Sequence, residues 1–522
     1  MGGPTALLEC GQRRAAVLRD GYRQAGLWSG QPVDVVRAAA AGDPDRVALV
    51  ARGRELTYAE LDERIDLACG NLAAAGVEAS EPVVVVVGND EDSVVAVHAA
   101  LRLDAVVLLV PRSAGEAQVA DIIARTGAGF GVAPNWPAAT TPELSDKVNW
   151  IPLDADATPR GQYRSERPAD EPCLVLYTSG TTSKPKGVIH SLSTLIKASA
   201  NYTAAAGLAA DDRIFLISPL ASVTGVLQGL FIGPMLNAPV ILEDRWDPSA
   251  TCELLVSSGA TWYGGPDRLL DRVLDEAVDR NATVPLRAVY LGGTMLDRRI
   301  VERIEDEFHI VVMRAYGSSE VPVSTSGLRT ESREVRHADD GVALADVQVR
   351  VGSTGDPTEC CIRGPHTFLG YTDVDDDADA FDGEWFRTGD VAELDDDRVR
   401  IVGRLKDIII RNGLKIPAAE VEEAVAKVAG VRECAAYSVA DSTTGERLAV
   451  AVVLDSDGQV SLAEVADVLV SAGLPKYKLP EELVFWDEPL PLNANGKVER
   501  NTLDARSAGR PRSLADRLAS KY

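Results

Sequence analysis

The sequence predicts a multidomain α/β protein, and three observations support that prediction. The chain has 522 residues, enough for several structural units of roughly 100 to 200 residues each. Unbroken apolar runs, such as residues 82–87, alternate with helix-like stretches, the pattern of parallel strands covered on both faces. Several of these runs end in loops rich in Gly, Ser and Thr, where open α/β sheets bind ligands.

The order of the elements predicts two α/β subdomains followed by two smaller parts. In the first subdomain, strand-like runs separated by helix-like stretches occur at residues 47–50, 82–87, 105–110 and 130–132. The second subdomain has such runs at residues 213–218, 240–242, 288–291 and 310–313. Short β-like pieces at residues 342–397 predict a small antiparallel or barrel-like unit, and alternating strands and helices continue to about residue 505.

Composition narrows the possible functions. The 53 Lys and Arg residues against 79 Asp and Glu residues give a formal net charge of -26, which disfavours a nucleic-acid interface of clustered basic residues. The seven cysteines are scattered without a CxxC pair, as expected for core residues in a reducing compartment. Because the sequence has neither a signal-peptide pattern nor an apolar run near 18 residues, it predicts a cytoplasmic protein without a membrane span.

The stretch at residues 177–188, YTSGTTSKPKGV, follows an apolar run and has the composition of a phosphate-binding loop. Gly180 and Gly187 allow close approach of the backbone to a ligand, and Lys186 supplies a positive charge. The hydroxyl donors are Thr178, Ser179, Thr181 and Thr182. It is not a Walker loop, because Val188 follows the second glycine. A solvated connector is the competing interpretation of this composition.

Four motifs in a fixed order resemble the adenylate-forming superfamily of acyl-CoA synthetases, peptide-synthetase adenylation domains and luciferases. They are the loop at 177–188, YGSSE at 316–320, WFRTGD at 385–390 with GRLKD at 403–407, and PLNANGKV at 491–498. The resemblance covers roughly residues 30 to 505 and looks closest to stand-alone aryl-acid and alicyclic-acid CoA ligases. It implies an N-terminal adenylation domain, residues 1–403, and a small mobile α+β C-terminal domain, residues 404–522.

The resemblance also implies a two-step reaction. A carboxylate attacks the α-phosphate of ATP to give an acyl or aryl adenylate and pyrophosphate, and the thiol of CoA then displaces AMP. The expected partners are therefore a small carboxylic acid, ATP, Mg²⁺ and CoA. Such chemistry depends on positioned donors, a cation and magnesium rather than on a protein nucleophile.

The resemblance implies a role for each residue of this chain that stands at a functional position of the family. Lys186 and the loop hydroxyls would hold the β- and γ-phosphates, Glu320 would bind Mg²⁺, and Lys497 would reach the α-phosphate during adenylation. Lys406 matches the hinge and Gly413 the thiol tunnel. The other expected ATP or AMP contacts are Gly180, Gly292, Gly293, Thr294, Tyr316, Gly317, Ser319, Asp390, Arg404 and Lys415. Taken singly, these residues also have ordinary interpretations. Glu320 could be a solvated turn carboxylate, Tyr316 a core tyrosine and Lys497 an exposed lysine.

The acyl pocket is where the sequence departs from the family. Many relatives have an aromatic residue and a histidine where this chain has Ala221 and Ser222, so the site is either enlarged or meets the substrate carboxylate differently. The expected apolar lining comprises Ala221, Ser222, Val223, Gly225, Trp262, Tyr263, Val321 and Val323. This lining has no carboxylate to hold an ammonium group, which disfavours amino-acid substrates.

Three functions remain open at this point. The leading one is an ATP-dependent acid–CoA ligase. A second keeps adenylation but loads a carrier-protein thiol, or activates nitrite for diazotisation of an aryl amine. The third is a nucleotide-binding regulatory module without catalysis, which the retention of Lys186, Glu320, Asp390 and Lys497 disfavours.

Overall fold

The computed structural model describes residues 7–153, 162–178, 185–292, 298–455, 458–492, 498–515 and 518. The chain divides into two compact units. The first comprises Met1–Val349, Ile362–Phe386 and Asp396–Val399, and the second comprises Arg350–Cys361, Arg387–Asp395 and Arg400–Tyr522. The domain boundary expected at residue 403 remains a prediction.

Both units combine helices and strands. The strands are β1 (Val47–Ala51), β2 (Arg54–Thr57), β3 (Pro82–Val87), β4 (Val106–Pro111), β5 (Phe130–Val132), β6 (Asn149–Trp150), β7 (Pro172–Tyr177), β8 (Gly187–Ser191), β9 (Ile214–Leu216), β10 (Val240–Leu242), β11 (Trp262–Gly265), β12 (Ala288–Leu291), β13 (Val311–Tyr316), β14 (Thr325–Ser326), β15 (Val342–Ala343), β16 (Gln348–Val351), β17 (Glu359–Arg363), β18 (Gly370–Tyr371), β19 (Phe381–Asp382), β20 (Trp385–Asp395), β21 (Arg398–Arg404), β22 (Ile408–Arg411), β23 (Leu414–Pro417), β24 (Val431–Asp441), β25 (Gly445–Leu454), β26 (Glu482–Trp486) and β27 (Arg512–Leu514).

The helices, in the same order along the chain, are α1 (Glu9–Gln24), α2 (Val35–Gly42), α3 (Tyr58–Ala74), α4 (Glu91–Arg102), α5 (Glu116–Thr126), α6 (Pro142–Ser145), α7 (Leu192–Ala206), α8 (Val223–Val226), α9 (Gly233–Leu236), α10 (Pro248–Ser257), α11 (Asp267–Asp279), α12 (Arg298–Phe308), α13 (Arg333–Ala338), α14 (Val374–Ala378), α15 (Ala418–Val425), α16 (Leu462–Ser471) and α17 (Arg500–Arg506). A π-helical segment, Leu227–Ile232, joins α8 to α9. Within the described ranges, none of the helices combines the length and the hydropathy that a membrane span requires.

Two sheets organise the first unit. One has the strand order β18-β8-β7-β4-β3-β5-β6, and the other includes the run β15-β14-β13-β12-β11-β9-β10-β1-β2. The central pairs β3 with β4 and β12 with β13 are parallel. Residues 83–86 of β3 are each fully buried, which explains their continuous valine run, because a central strand covered on both faces needs apolar side chains on both. The predicted α/β class is confirmed.

Short strands occupy residues 342–404, as the sequence predicts, and β19 pairs antiparallel with β20 through Phe381 and Phe386. The second unit contains a sheet of order β23-β22-β25-β26-β27, in which β24 also pairs with β25. Apolar residues of α15 and α16 pack with residues of this sheet in one core cluster that includes Val421, Val465 and Val450. The second unit is therefore a mixed α/β body with its own core.

Gly341 illustrates a position where the fold of the first unit requires glycine. Its φ is +85°, and a Cβ there would overlap the main-chain carbonyl of Ser326. Gly383 has a similar φ of +65°, but no atom lies within 4 Å of the position that a Cβ would take there. A substitution at Gly383 therefore tests the left-handed backbone alone, whereas one at Gly341 tests the left-handed backbone together with steric overlap.

We predict that Gly383→Ala lowers the free energy of unfolding by about 1 to 2 kcal/mol, the cost of a left-handed alanine. Gly341→Ala should cost about 3 kcal/mol or more, because the main chain of Ser326 would also have to move. Urea unfolding followed by circular dichroism measures both losses. Equal losses would contradict the crowding that the structure shows at Gly341.

Candidate active site

The predicted phosphate loop joins β7 to β8. The strands are antiparallel, with Tyr177 opposite Gly187, and the amide of Thr178 donates to the carbonyl of Lys186 at 3.0 Å. A Cβ on Gly187 would stand 2.5 Å from Thr372 Oγ1. Glycine at this position therefore allows Thr372, which follows β18, to pack against the end of the loop. Four predicted phosphate contacts lie outside the described residues: Ser179, Gly180, Thr181 and Thr182.

Lys186 stands at the end of this loop with its side chain half-buried. Its Nζ lies 3.0 Å from Asp376 Oδ1 and 4.8 Å from the centroid of the Tyr371 ring. The ammonium group is thus held between a carboxylate and an aromatic face, both of which favour a positive charge. Sequence reasoning missed both of these neighbours.

Glu320 lies on the turn that follows β13. Its Oε1 accepts a hydrogen bond from the Tyr371 hydroxyl at 2.7 Å, and its Oε2 accepts one from Ser318 Oγ at 2.7 Å. The amide of Phe368 donates to the Glu320 carbonyl at 2.7 Å. Both the carboxylate and the main chain of Glu320 are therefore held by named donors, unlike an ordinary solvated turn glutamate.

Gly317 makes this turn possible, because a Cβ there would overlap the amide of Val323 and approach the carbonyl of Val321 to 2.7 Å. Tyr316 ends β13 next to β12, and Gly292 immediately follows β12. A Cβ on Gly292 would lie 3.0 Å from the carbonyl oxygen of Ala315. The structure thus brings Gly292, Tyr316, Gly317, Ser319 and Glu320 to the carboxyl ends of neighbouring parallel strands. Gly293 and Thr294 lie outside the described residues.

In the second unit, Asp390 and Arg404 form an ion pair with Arg404 Nε 3.1 Å from Asp390 Oδ1. Asp390 is 6% exposed, and its amide donates to Thr388 Oγ1 at 3.1 Å. Arg404 is half-exposed. The two residues predicted to contact ribose therefore lie together, although they are 14 positions apart in the sequence.

The other predicted residues of the second unit lie near β22 and β23. Lys406 is in a 3₁₀ turn, Leu405–Asp407, where burial and the nearby Arg404 lower the pKa of its ammonium group. Gly413 has a φ of +77° in the turn between these strands. Lys415 is paired with Asp356, and although burial opposes it, hydrogen bonds from Lys415 and Thr358 lower the pKa of Asp356 to about 2. Lys497 lies outside the described residues.

The predicted acyl pocket begins at the turn before α8. Ser222 Oγ donates to the Pro219 carbonyl at 2.7 Å and accepts from the Gly225 amide at 3.1 Å, so this hydroxyl caps α8. A Cβ on Gly225 would overlap the Pro219 carbonyl oxygen. Asn89 fixes the same turn, because its Oδ1 accepts from the Leu220 amide at 2.8 Å. Ala221 and Val321 are buried, whereas Val223 and Val323 are partly exposed.

Trp262 and Tyr263 point to opposite faces of β11, because successive strand residues alternate. Trp262 packs against Tyr202 and Tyr290, with its ring centroid 5.3 Å from that of Tyr290. Tyr263 instead belongs to the core on the other face, where its ring stacks with that of Phe215. The two residues predicted to share one pocket wall therefore do not share a face of the sheet.

Gln228 is a residue on the Trp262 face that sequence reasoning missed. Its Nε2 donates to the Gly264 carbonyl at 3.1 Å, and the side chain is fully buried. His190 was missed as well, and its Nε2 lies 2.7 Å from the carbonyl oxygen of Ser319. A polar residue within the apolar strand that follows the loop was the sequence signal that could have identified His190.

Two family models match the chain. The AMP-binding enzyme model matches residues 36–372, and the model of the AMP-binding enzyme C-terminal domain matches residues 420–497. The chain belongs to the AMP-binding enzyme family. The superfamily resemblance drawn from the four motifs is thereby confirmed.

Curated relatives align over most of their length. A medium-chain fatty-acid–CoA ligase of Escherichia coli is 28% identical over 94% of this chain and 92% of its own length. The 3-[(3aS,4S,7aS)-7a-methyl-1,5-dioxo-octahydro-1H-inden-4-yl]propanoyl:CoA ligase of Mycobacterium tuberculosis is 30% identical over 88% of this chain and 96% of its own. A 2-hydroxy-7-methoxy-5-methyl-1-naphthoate–CoA ligase of Streptomyces carzinostaticus is 28% identical over 94% and 95%.

Solved structures share the fold. The o-succinylbenzoate CoA synthetase MenE of Bacillus subtilis, in complex with ATP and magnesium ion, superimposes with a TM-score of 0.80 at 24% identity, covering 91% of this chain and 99% of its own. ATP-bound MatB of Rhodopseudomonas palustris gives a TM-score of 0.82 at 22% identity, with coverage of 91% and 99%. The likeness to these two structures supports the predicted fold, in which a large N-terminal part is followed by a smaller C-terminal part.

Three buried histidines of the first unit predict how stability depends on pH. Burial lowers the pKa of His98 and of His190 to about 4 and that of His366 to about 3. An unfolded histidine titrates near pH 6.5, so below that pH the unfolded chain binds protons that the folded chain does not. Stability is therefore expected to fall as the pH falls from about 6.5 to about 4.

We predict that the melting temperature decreases between pH 7 and pH 5 and that His366→Gln makes this decrease shallower. One histidine contributes at most about 1.4 kcal/mol per pH unit in this window. His309→Asn is the control, because His309 is exposed and its removal should leave the slope as in the wild type. An unchanged slope in His366→Gln would contradict a neutral buried ring at this position.

Proposed function

We propose that this protein is an ATP-dependent carboxylic acid–CoA ligase. It forms an acyl or aryl adenylate with release of pyrophosphate, and then a CoA thioester with release of AMP. The observation that carries the proposal is the linkage of the two charged groups in the first unit. The Tyr371 ring lies under the Lys186 ammonium, and its hydroxyl donates to the Glu320 carboxylate. One side chain thus contacts both the proposed phosphate-binding cation, Lys186, and the proposed metal-binding anion, Glu320.

The described residues suit magnesium and a polyphosphate. From the described residues, each oxygen of the Glu320 carboxylate accepts one hydrogen bond, which leaves a further lone pair for a metal ion or its water. Carboxylate oxygen is the hard ligand that Mg²⁺ prefers. When bound, magnesium would neutralise charge on the phosphates, and Lys186 would supply a second cation where the pyrophosphate charge develops.

The remaining predicted residues would act in adenylation first and in thioester formation second. Asp390 would accept hydrogen bonds from the ribose hydroxyls, and its ion pair with Arg404 orients the carboxylate. Lys497 would contact the α-phosphate during adenylation, and the C-terminal domain would rotate at Lys406 before the thiol step. The three curated relatives described above are CoA ligases, which supports CoA as the acceptor over a carrier-protein thiol or nitrite.

The acid is expected to be apolar near its carboxyl group. Ser222 uses its hydroxyl to cap α8, and Ala221, the residue before it, is small and buried. We therefore propose an aryl, alicyclic or fatty acid rather than an amino acid.

A panel of aryl, alicyclic and fatty acids tests this function by pyrophosphate release, with and without CoA. We expect at least one acid to release pyrophosphate in an ATP- and Mg²⁺-dependent reaction, and AMP and a thioester to accumulate only when CoA is present. Turnover of no acid would refute the ligase function. Consumption of nitrite and an aryl amine without CoA would establish the divergent alternative.

Lys497→Ala tests the assignment of the catalytic lysine. With the acid selected above, adenylation should fall by about 100-fold or more, because a positioned charge on the transition state is lost. Thioester formation from preformed adenylate should be largely retained. Lys427→Ala is the matched control, since Lys427 is exposed and its ammonium group forms an ion pair with Glu423, four residues earlier in the chain. Equal loss in both half-reactions would refute the role of Lys497.

A further inference from the structure

We propose that His190 and Tyr371 are positioning residues that hold the turn at residues 318–320, so that the Glu320 carboxylate is preset to bind a divalent cation. The inference rests on the proposed function, because it gives Glu320 the metal-binding role. Neither residue belongs to the four motifs that identify the family.

His190 holds the main chain on one side of Glu320. It is fully buried near the end of β8, and its Nε2 lies 2.7 Å from the carbonyl oxygen of Ser319. A carbonyl oxygen only accepts hydrogen bonds, so Nε2 must carry the proton. The other ring nitrogen, Nδ1, faces Thr194 Oγ1 at 3.0 Å. The ring is thereby fixed between the cap of α7 and the residue that precedes Glu320.

Tyr371 holds the side chain of Glu320. The tyrosine is 5% exposed, its hydroxyl donates to Oε1 at 2.7 Å, and Ser318 donates to Oε2. The tyrosine is itself fixed, because its ring packs edge-on against Phe368 at 4.9 Å and its amide donates to Asp377 Oδ1 at 2.9 Å. Hydrogen bonds to an ionised acceptor are short and strong, so the carboxylate is held in one orientation.

The two holding residues come from paired strands. Tyr371 lies opposite Val188, and Gly370 lies opposite Ile189. His190 is the next residue along β8, so β8 and β18 together present an imidazole and a phenol to one turn. The third contact, from the Phe368 amide to the Glu320 carbonyl, comes from the chain just before β18.

This arrangement lowers the cost of metal binding. A free glutamate loses side-chain entropy when it is fixed, whereas Glu320 is already held by its hydrogen bonds before the ion arrives. Partners that orient a metal ligand typically change metal affinity by about 10- to 100-fold when they are removed. Loss of the Tyr371 hydroxyl should therefore weaken the metal rather than the nucleotide.

Tyr371→Phe is a clean test, because phenylalanine keeps the ring under Lys186 and removes only the hydroxyl. Binding of Mn²⁺ to the enzyme with α,β-methylene-ATP, followed by electron paramagnetic resonance, should weaken by about 10- to 100-fold. Binding of the same nucleotide in excess EDTA should stay within about twofold of the wild type. The matched control is Tyr437→Phe, which removes a buried hydroxyl bonded to Ser507 in the second unit and should leave Mn²⁺ binding unchanged.

His190 is tested by loss and rescue. His190→Leu should weaken Mn²⁺ binding in the same assay, whereas His190→Gln should restore most of it, because the glutamine amide can donate to the Ser319 carbonyl. Wild-type Mn²⁺ affinity in Tyr371→Phe would overturn the inference. So would a loss of nucleotide affinity in EDTA equal to the loss of Mn²⁺ affinity, which would indicate a general structural role.

Failure of the proposed function would give a different pattern. No acid would then release pyrophosphate, while the Mn²⁺ affinities of the Tyr371 and His190 variants would still shift as described. Conversely, a functional ligase whose Tyr371→Phe variant binds Mn²⁺ normally would refute the positioning role alone.

Discussion

The hydrogen bonding of β8, to β7 on one side and to β18 on the other, is the interaction on which the described part of the site depends. It pairs the two strands that flank the predicted phosphate loop, directs Lys186 towards the Tyr371 ring and places His190 beside the turn at residues 318–320. Gly187 permits this pairing, because a side chain there would meet Thr372. Groups that lie far apart in the sequence thus converge through main-chain pairing of only a few residues.

The consequence for chemistry is a carboxylate held in a fixed orientation. Among the described residues, Glu320 receives one hydrogen bond on each oxygen, which orients it and leaves a lone pair of each oxygen for a further ligand. The small residues at the acyl turn serve a structural purpose of their own. Ser222 caps α8, and Gly225 fits against the Pro219 carbonyl, so the hydroxyl and the missing Cβ both serve to form this turn.

The sequence predicted the α/β class because central parallel strands require apolar residues on both faces, as residues 83–86 show. It also predicted that loops rich in Gly, Ser and Thr, such as those at Gly292 and Glu320, follow the strands where open α/β sheets bind ligands, at the carboxyl ends of the strands. It could not predict the roles of Tyr371 and His190, because these depend on the pairing of β8 with the two-residue strand β18, and so short a strand carries no periodic signal. Placing Trp262 and Tyr263 on one wall overlooked the alternation of side chains along a strand.

The most direct test of the adenylation mechanism is the fate of the carboxylate oxygens. The acid with the highest turnover would be labelled with ¹⁸O at both carboxylate positions and incubated with the enzyme, ATP, Mg²⁺ and CoA, and the products would be analysed by mass spectrometry. Attack on the α-phosphate predicts AMP that carries one ¹⁸O atom and pyrophosphate that carries none. Unlabelled AMP, or label in ADP or phosphate, would contradict an adenylate intermediate.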